Sequence, residues 1–384
     1  MILFLVVFCL IFFVLQYEWS FTRSCSLIHF YSFCAILILF TGLRYKVGID
    51  TLNYMDNYVY LPDLYSLISF EYDSNGYNYF YLLLCSFAKF LGKDFFWLQL
   101  LQAFIVNSIV LSFIRKYTKY KYTALLLYVL TVYLHYNIEI MREAIAISFF
   151  LLSIKYYINK KWLKYYIVIL GCILFHYSAL FLLLLPFFSN LRLNKKFFFL
   201  ALVVWVISCI LLPQLTQIMT IFAFNDSMGH KVNSYFGETW LSPSFSFQVL
   251  QLFSMSIFPT LLLVISSFFR LKSKLEPFMC MYILLGVLSI NIPICLRLSN
   301  YFVLIYVVYV TNIIAFVVKH RIFKSLTYTV SLIAVLVCSL PYLGKQFTNV
   351  GVDGIYRYHA WYPYHSIFDP QTEVKRKIYY DLNF

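Results

Sequence analysis

A chain of 384 residues that is 62% hydrophobic, 21% aromatic and only 12% charged carries more apolar surface than an aqueous core can bury, which excludes an ordinary soluble domain. The net charge of +14 would suit nucleic acid, but the basic residues lie in short segments between apolar runs, so no nucleic-acid partner is expected. The apolar runs lack the ten-residue alternation of an outer-membrane barrel, which leaves an all-α polytopic membrane protein of about 10 to 14 transmembrane or re-entrant helices.

In chain order, apolar runs lie near 2–15, 25–43, 95–114, 123–138, 144–158, 197–221, 248–268, 277–295, 299–318 and 326–343. Most approach the roughly 20 residues that cross about 30 Å of hydrocarbon as a helix. The first, MILFLVVFCLIFFVLQYEWS, has no basic n-region and no small-residue cleavage site, so a first membrane helix is expected rather than a removed signal peptide. Residues 78–91, NYFYLLLCSFAKFL, amount to only about 21 Å of helix and carry Lys89, which suits a partly inserted or re-entrant segment. Within 161–188, His176 interrupts the apolar run and basic residues flank both ends, so two short helices meeting near His176 are expected. Nine cysteines fall in or at the edges of apolar runs without any CxxC, and read as packing residues rather than disulfide or metal ligands. No soluble domain of appreciable size remains, and 1–384 is expected to form a single membrane domain.

Charge gives the threading. The segments 115–121, 155–164, 192–196, 270–276 and 319–324 hold 17 Lys and Arg against the single acid Glu276, the bias of cytoplasmic loops. The stretches 44–77, 92–94, 135–143, 222–247, 296–300 and 344–384 hold 11 basic residues against 14 acidic ones and are assigned to the outer side, with 44–77 and 222–247 as outer loops and 344–384 as an outer tail. This threading places Arg44 to Asp73, Arg142, His176, Arg297 and the tail on one face. Residues costly near hydrocarbon and far apart in sequence thereby converge, as a shared pocket requires.

Arg44, Arg142 and Arg297 each lie at the outward end of an expected helix, in FTGLR, EIMRE and NIPICLRLSNY. Guanidinium stays charged and grips phosphate oxygens in a bidentate fork, so three together suit a pyrophosphate, with Arg44 as one wall of its cavity. Snorkelling toward lipid headgroups is the plainer reading of each. Asp50 follows Gly48 in KVGIDT, where glycine permits a tight turn; its carboxylate is either a general base toward a sugar hydroxyl or a balance for the arginines. Glu143, beside Arg142, has the same two readings. His176 is either a hydrogen-bonded structural residue or an acid, base or phosphate donor. Tyr-rich outer sequence such as YMDNYVYLPDLY offers flat faces for sugar rings.

There is no DxD pair, GxxxxGK[ST] loop, HExxH or GxSxG, so nucleotide-driven transport, metalloproteolysis and ordinary serine hydrolysis lose support, and no metal or other cofactor is expected. RYKVGIDTLNY resembles the R-x-x-x-G-x-D-T-x-x-Y segment of the EpsG family, the Wzy-like polymerases of bacterial exopolysaccharide and O-antigen. Three further segments agree in order: MREAIAISFFLLSIKYYINKKWLKYY resembles the family's R-[QE]-A-x-A helix and basic turn, CILFHYSALFLLLLPFF its F-H-x-[ST]-A segment, and YPYHSIF its terminal P-Y-x-S-I-F.

The resemblance implies an architecture similar to helical, lipid-carrier-dependent (GT-C-like) glycosyltransferases in the bacterial cytoplasmic membrane. It implies transfer of a glycan from undecaprenyl pyrophosphate to the non-reducing end of a newly flipped lipid-linked repeat unit at the outer face. The residues it carries over are Arg44, Gly48, Asp50, Thr51, Tyr54, Arg142, His176 and Tyr364. On this reading Arg44, Arg142 and Arg297 bind pyrophosphate, Asp50, His176 and Glu143 are candidate catalytic groups, and Thr51, Tyr54, Asn300, Tyr301 and Tyr364 face the substrate. Expected partners are the undecaprenyl-pyrophosphate-linked oligosaccharide, membrane lipids, a flippase that supplies units and a chain-length regulator. A transporter or flippase would instead place charges near the midplane of several helices in a repeated arrangement, and a membrane acyltransferase would use His176 as base without needing three arginines.

Overall fold

The computed structural model describes residues 2–19, 27–69, 78–221, 245–271, 273–292, 294–322 and 324–382. Among them the chain is helical, with isolated bridges in place of β-strands. Among the described residues, four helices are long and apolar enough to cross a membrane: Phe96–Tyr117, Gln248–Phe268, Ile294–His320 and Thr327–Phe347. Seven further apolar helices are shorter, and together these elements mark a membrane protein. The apolar runs expected from the sequence are therefore present, but several are divided by local changes of helix type. The run at 123–138, for example, becomes an α-helix over Lys121–Thr131 and a π-helical turn over His135–Glu139.

The chain forms two compact units, one of Met1–Leu183 with Ile314–Phe384 and the other of Leu184–Ile313. The centre of the first unit is α7 (Met141–Ile158), buried on nearly every side, as its small residues Ala144, Ala146 and Ser148 allow. Against it pack α5 (Phe96–Tyr117) and α8 (Trp162–Phe175), α2 (Leu27–Gly42) packs on α5, and α1 (Ile2–Phe13) packs on α6 (Lys121–Thr131).

The two ends of this bundle are distinct. At one, the Glu18 carboxylate accepts the backbone N–H groups of Tyr122 at 2.7 Å and Thr123 at 2.8 Å, capping α6, and Arg115 at the end of α5 reaches the hydroxyl of Tyr31. At the other end lie Arg44, the short helix α3 (Ile49–Tyr58), the start of α7 and the C-terminal tail.

Helix α4 (Tyr79–Leu91) is tied to other elements near both of its ends. Asn78, its N-cap, donates to the carbonyl of Ile173 near the close of α8, and Lys89 in its last turn donates to the carbonyls of Val59 and Leu61 just beyond α3. Lys89 thus satisfies carbonyls just beyond a helix end while its Nζ lies 5.0 Å from the Tyr58 ring centroid. These bonds anchor the start of α4 to the close of α8 and its last turn to the chain after α3.

The break at His176 is present. Helix α8 stops at Phe175, His176 is extended (φ −156°, ψ 126°), and a 3-10 helix follows over Tyr177–Phe188. Tyr165, in the first turn of α8, donates to the carbonyl of Leu182 at 2.7 Å, so the second segment runs back along the first.

The second unit contains α9 (Lys195–Ile221), α10 (Phe245–Leu252), α11 (Phe258–Phe268), α12 (Glu276–Leu288) and most of α13 (Ile294–His320). Its helices approach closely: a Cβ on Gly286 of α12 would lie 2.8 Å from the Met255 carbonyl oxygen, and Gln251 bonds Ser289 at 2.6 Å. Of the outer loop expected at 222–247, residues 222–244 lie outside the described residues, as do residues 70–77 of the loop expected at 44–77. The described part of 44–77 contains α3. The tail expected at 344–384 is folded into 3-10 turns at Lys345–Phe347 and Arg357–Ala360 and a helix, α14 (Thr327–Gly344) preceding it and α15 (Val374–Asp381) closing it.

The entry to α3 depends on Gly48, whose φ of +104° favours glycine and whose added Cβ would fall 2.2 Å from Ile138 Cγ2. Gly48→Ala is expected to lower stability by about 3 kcal/mol or more, from backbone strain and overpacking together, read as a drop in the detergent-solubilised melting temperature. An unchanged melting temperature would contradict this packing.

Candidate functional site

The Arg44 end is assembled from four separate stretches: the exit from α2 with α3, the π-helical turn before α7, the first turn of α7, and the tail. Arg44 is 0% exposed. Its Nη1 donates to the Thr41 carbonyl, and its Nη2 to Thr51 Oγ1 at 3.3 Å and Met141 Sδ at 3.4 Å. With the Gln99 amide oriented to satisfy both partners, that side chain donates to the Arg44 carbonyl at 3.0 Å and accepts Nε at 3.2 Å. Burial lowers the guanidinium pKa to about 10, opposed by Tyr364 and Glu139, so the group remains a cation at neutrality. The sequence suggested a cavity wall at this position; the side chain instead faces inward because helix-end carbonyls, a hydroxyl and an amide surround it. Arg44 acts on the site through the segments it joins.

Thr51 is likewise buried and donates to the Ile138 carbonyl at 2.8 Å. Tyr364 is half-buried, stacks on Phe40 at 4.4 Å and donates to the Phe40 carbonyl at 2.7 Å. Both tie the ends of segments together rather than standing out from the surface.

Asp50, Tyr54 and Arg142 are the half-buried members of the group. Asp50 and Tyr54 are one turn apart on α3 and so share a face. The Arg142 guanidinium lies 5.6 Å from the Tyr54 ring centroid and 5.6 Å from that of Tyr81 on α4. The two rings adjoin each other, with centroids 6.2 Å apart, and their quadrupoles attract the guanidinium to that side. Glu143, next to it on α7, is 1% exposed and points into the protein.

His176 approaches this group through α4: Phe175 packs on Phe80 at 5.5 Å, and Phe80 precedes Tyr81. Its Nδ1 accepts the Ser178 backbone N–H at 3.2 Å, so a neutral ring carries its proton on Nε2. Arg297, Asn300 and Tyr301 belong to the second unit, on the first two turns of α13; Arg297 and Asn300 are half-buried and Tyr301 is buried.

Sequence reasoning missed two residues that hold the site. Glu139 accepts the backbone N–H of Asp50 at 3.2 Å on one carboxylate oxygen and the Trp361 indole N–H at 2.8 Å on the other. Burial raises its carboxyl pKa, opposed by the Trp361 indole, the Asp50 and Ile49 N–H groups and the Arg44 charge. Arg376, 1% exposed, donates to the carbonyls of His359 at 3.1 Å, Lys46 at 2.7 Å and Pro363. An arginine within KRK reads from sequence as a solvated charge, and a single acid in HYNIE carries no spacing signal. The only hint was that the tail and the 135–143 stretch were both assigned to the Arg44 side.

Chemically, the arrangement offers a guanidinium for an anion, an aromatic face beside it and a carboxylate on the same helix face as that aromatic. Searches against curated proteins and against solved structures returned no match. The EpsG family profile matches residues 27–366, from the start of α2 through the Arg44 segment, α7 and His176 to Ser366 in the tail. Since that match spans most of the chain, the protein belongs to the EpsG family.

Proposed function

We propose that this EpsG-family protein is a glycosyltransferase that polymerises lipid-linked repeat units, moving a glycan from undecaprenyl pyrophosphate to the non-reducing end of a second lipid-linked unit. The family's association with polysaccharide polymerases gives the general role. The observation that carries the finer reading is the Arg142 guanidinium beside the adjoining rings of Tyr54 and Tyr81, with Asp50 one turn away on the face that Tyr54 occupies. A sugar to pyrophosphate bond breaks with its electron pair departing on phosphate oxygen, and a fixed guanidinium stabilises that charge as it forms.

In this reading Asp50 takes the proton of the acceptor hydroxyl as its oxygen bonds the anomeric carbon, while the carbon–oxygen bond to pyrophosphate breaks. Arg142 binds the departing pyrophosphate, and the Tyr54 and Tyr81 rings orient Arg142 and bound sugar. His176, with its proton on Nε2, is a donor to phosphate or the substitute acid–base group. Arg44 supports Arg142 from within. Arg297, with Asn300 on its helix face, is assigned anion binding in the second unit. The active site lies at the outer face of the bacterial cytoplasmic membrane, where a flippase supplies units and a chain-length regulator limits the product. The overall scaffold corresponds to that of lipid-carrier-dependent, GT-C-like transferases.

Purified protein supplied with a lipid-linked repeat unit tests the assignment. Asp50→Ala and Arg142→Ala, at wild-type protein levels, are expected to slow chain growth roughly 100-fold or more. Full chain growth by either variant refutes its role, and movement of substrate without a new glycosidic bond would favour transport. Tyr54→Ala is expected to raise KM roughly 3- to 30-fold through loss of the ring beside Arg142, whereas Tyr54→Phe keeps the ring and stays near wild type. Equal KM values for the two variants would remove the aromatic contact from the mechanism.

A further inference from the structure

We propose that Glu139 is a positioning residue for Asp50, and that through Trp361 it makes the seating of the C-terminal tail a condition for a competent α3. The inference rests on the polymerase reading above for its activity arm.

Helix α3 begins at Gly48 with no side-chain cap, so the N–H groups of its first turn need an acceptor from elsewhere in the fold. Glu139 supplies it from 89 residues away: its Oε2 accepts the Asp50 N–H at 3.2 Å. The neighbouring Ile138 carbonyl accepts Thr51 Oγ1 at 2.8 Å. Two consecutive residues of one turn therefore grip two consecutive residues of α3. Such a grip fixes the rotation of α3 about its own axis, and that rotation decides where Asp50 and Tyr54 point.

The second carboxylate oxygen belongs to the tail. Oε1 accepts the Trp361 indole N–H at 2.8 Å, and the residues around Trp361 are bonded to the strand of chain that leads into α3. Gly48 N–H donates to the Ala360 carbonyl at 2.7 Å, and Tyr45 N–H to the His365 carbonyl at 2.9 Å. Arg376 gathers the carbonyls of Lys46, His359 and Pro363. Beyond Asp50, Tyr380 on α15 donates to Asp56 at 3.0 Å. The tail thus holds α3 before and after Asp50, and Glu139 is the side chain that bonds both α3 and the tail. A carboxylate with two oxygens facing two donors suits that task, and it places negative charge at a helix N-terminus, where the dipole favours it.

The test uses the full-length protein in detergent or nanodiscs, with lipid-linked repeat unit as substrate. Glu139→Gln turns one acceptor oxygen into a donor, and is expected to lower kcat at least 10-fold with KM within 3-fold of wild type, and to speed amide hydrogen exchange at Ile49 and Asp50. Glu139→Asp keeps both oxygens and is expected to recover part of kcat; Trp361→Phe is expected to shift kcat and exchange in the same direction by less. Wild-type kcat in Glu139→Gln, or a loss that only tracks the folded fraction while exchange at Ile49 and Asp50 is unchanged, overturns the proposal. Loss of activity in Asp50→Ala beside full activity in Glu139→Gln refutes this inference and leaves the polymerase reading standing. Full activity in Asp50→Ala refutes that reading, and amide exchange at Ile49 and Asp50 then decides by itself whether Glu139 holds α3.

Discussion

A buried arginine at the mouth of a helix bundle sets the terms for everything around it. Arg44 has no exposed surface, yet its charge persists, so each of its donors requires a fixed acceptor inside the protein. Those acceptors come from α2 (Thr41), α3 (Thr51), α5 (Gln99) and α7 (Met141), and no subset of these elements can shift without leaving part of a buried cation unsatisfied. Removing one partner of such a cluster is costly, whereas keeping all of them in place permits very little freedom. The first turn of α3 and the first turn of α7 are therefore held side by side, and Asp50, Tyr54 and Arg142 are the side chains that project from them.

Around this core a second layer is built from the carbonyls and N–H groups that a turn exposes. The Gly48 turn would leave several backbone groups open, and the tail covers them with Ala360, His365 and Arg376. Glu139 completes the layer. Burial divides the group: Arg44, Arg376 and Glu143 lie inside, the two arginines bonding several segments, while Arg142, Asp50 and Tyr54 retain part of their surface. A charged residue near hydrocarbon therefore has two distinct uses here, and exposure separates them.

Part of this was legible in the chain itself. Apolar runs of sufficient length and the basic loops between them defined an all-helical membrane protein, and the polar interruption at His176 marked where α8 ends because an unpaired imidazole would be costly inside an apolar helix. Gly48 announced a turn. What stayed hidden were relations whose partners are backbone atoms: Arg44 bonds a carbonyl four-fifths of a helical turn back, Glu139 receives an N–H from 89 residues away, and Arg376 collects three carbonyls, none of which leaves a residue-type signature. The division of the chain into two units was equally invisible, since both share the same apolar composition.

The central claim is that Arg44 serves the pyrophosphate only through Arg142. A double-mutant cycle on binding of undecaprenyl pyrophosphate to purified protein, at matched folded fraction, measures this directly. The account predicts that Arg44→Ala weakens binding in the wild-type background and adds little once Arg142 is already Ala. Independent losses that add in the double variant would show that Arg44 contacts the ligand itself, and would contradict the account.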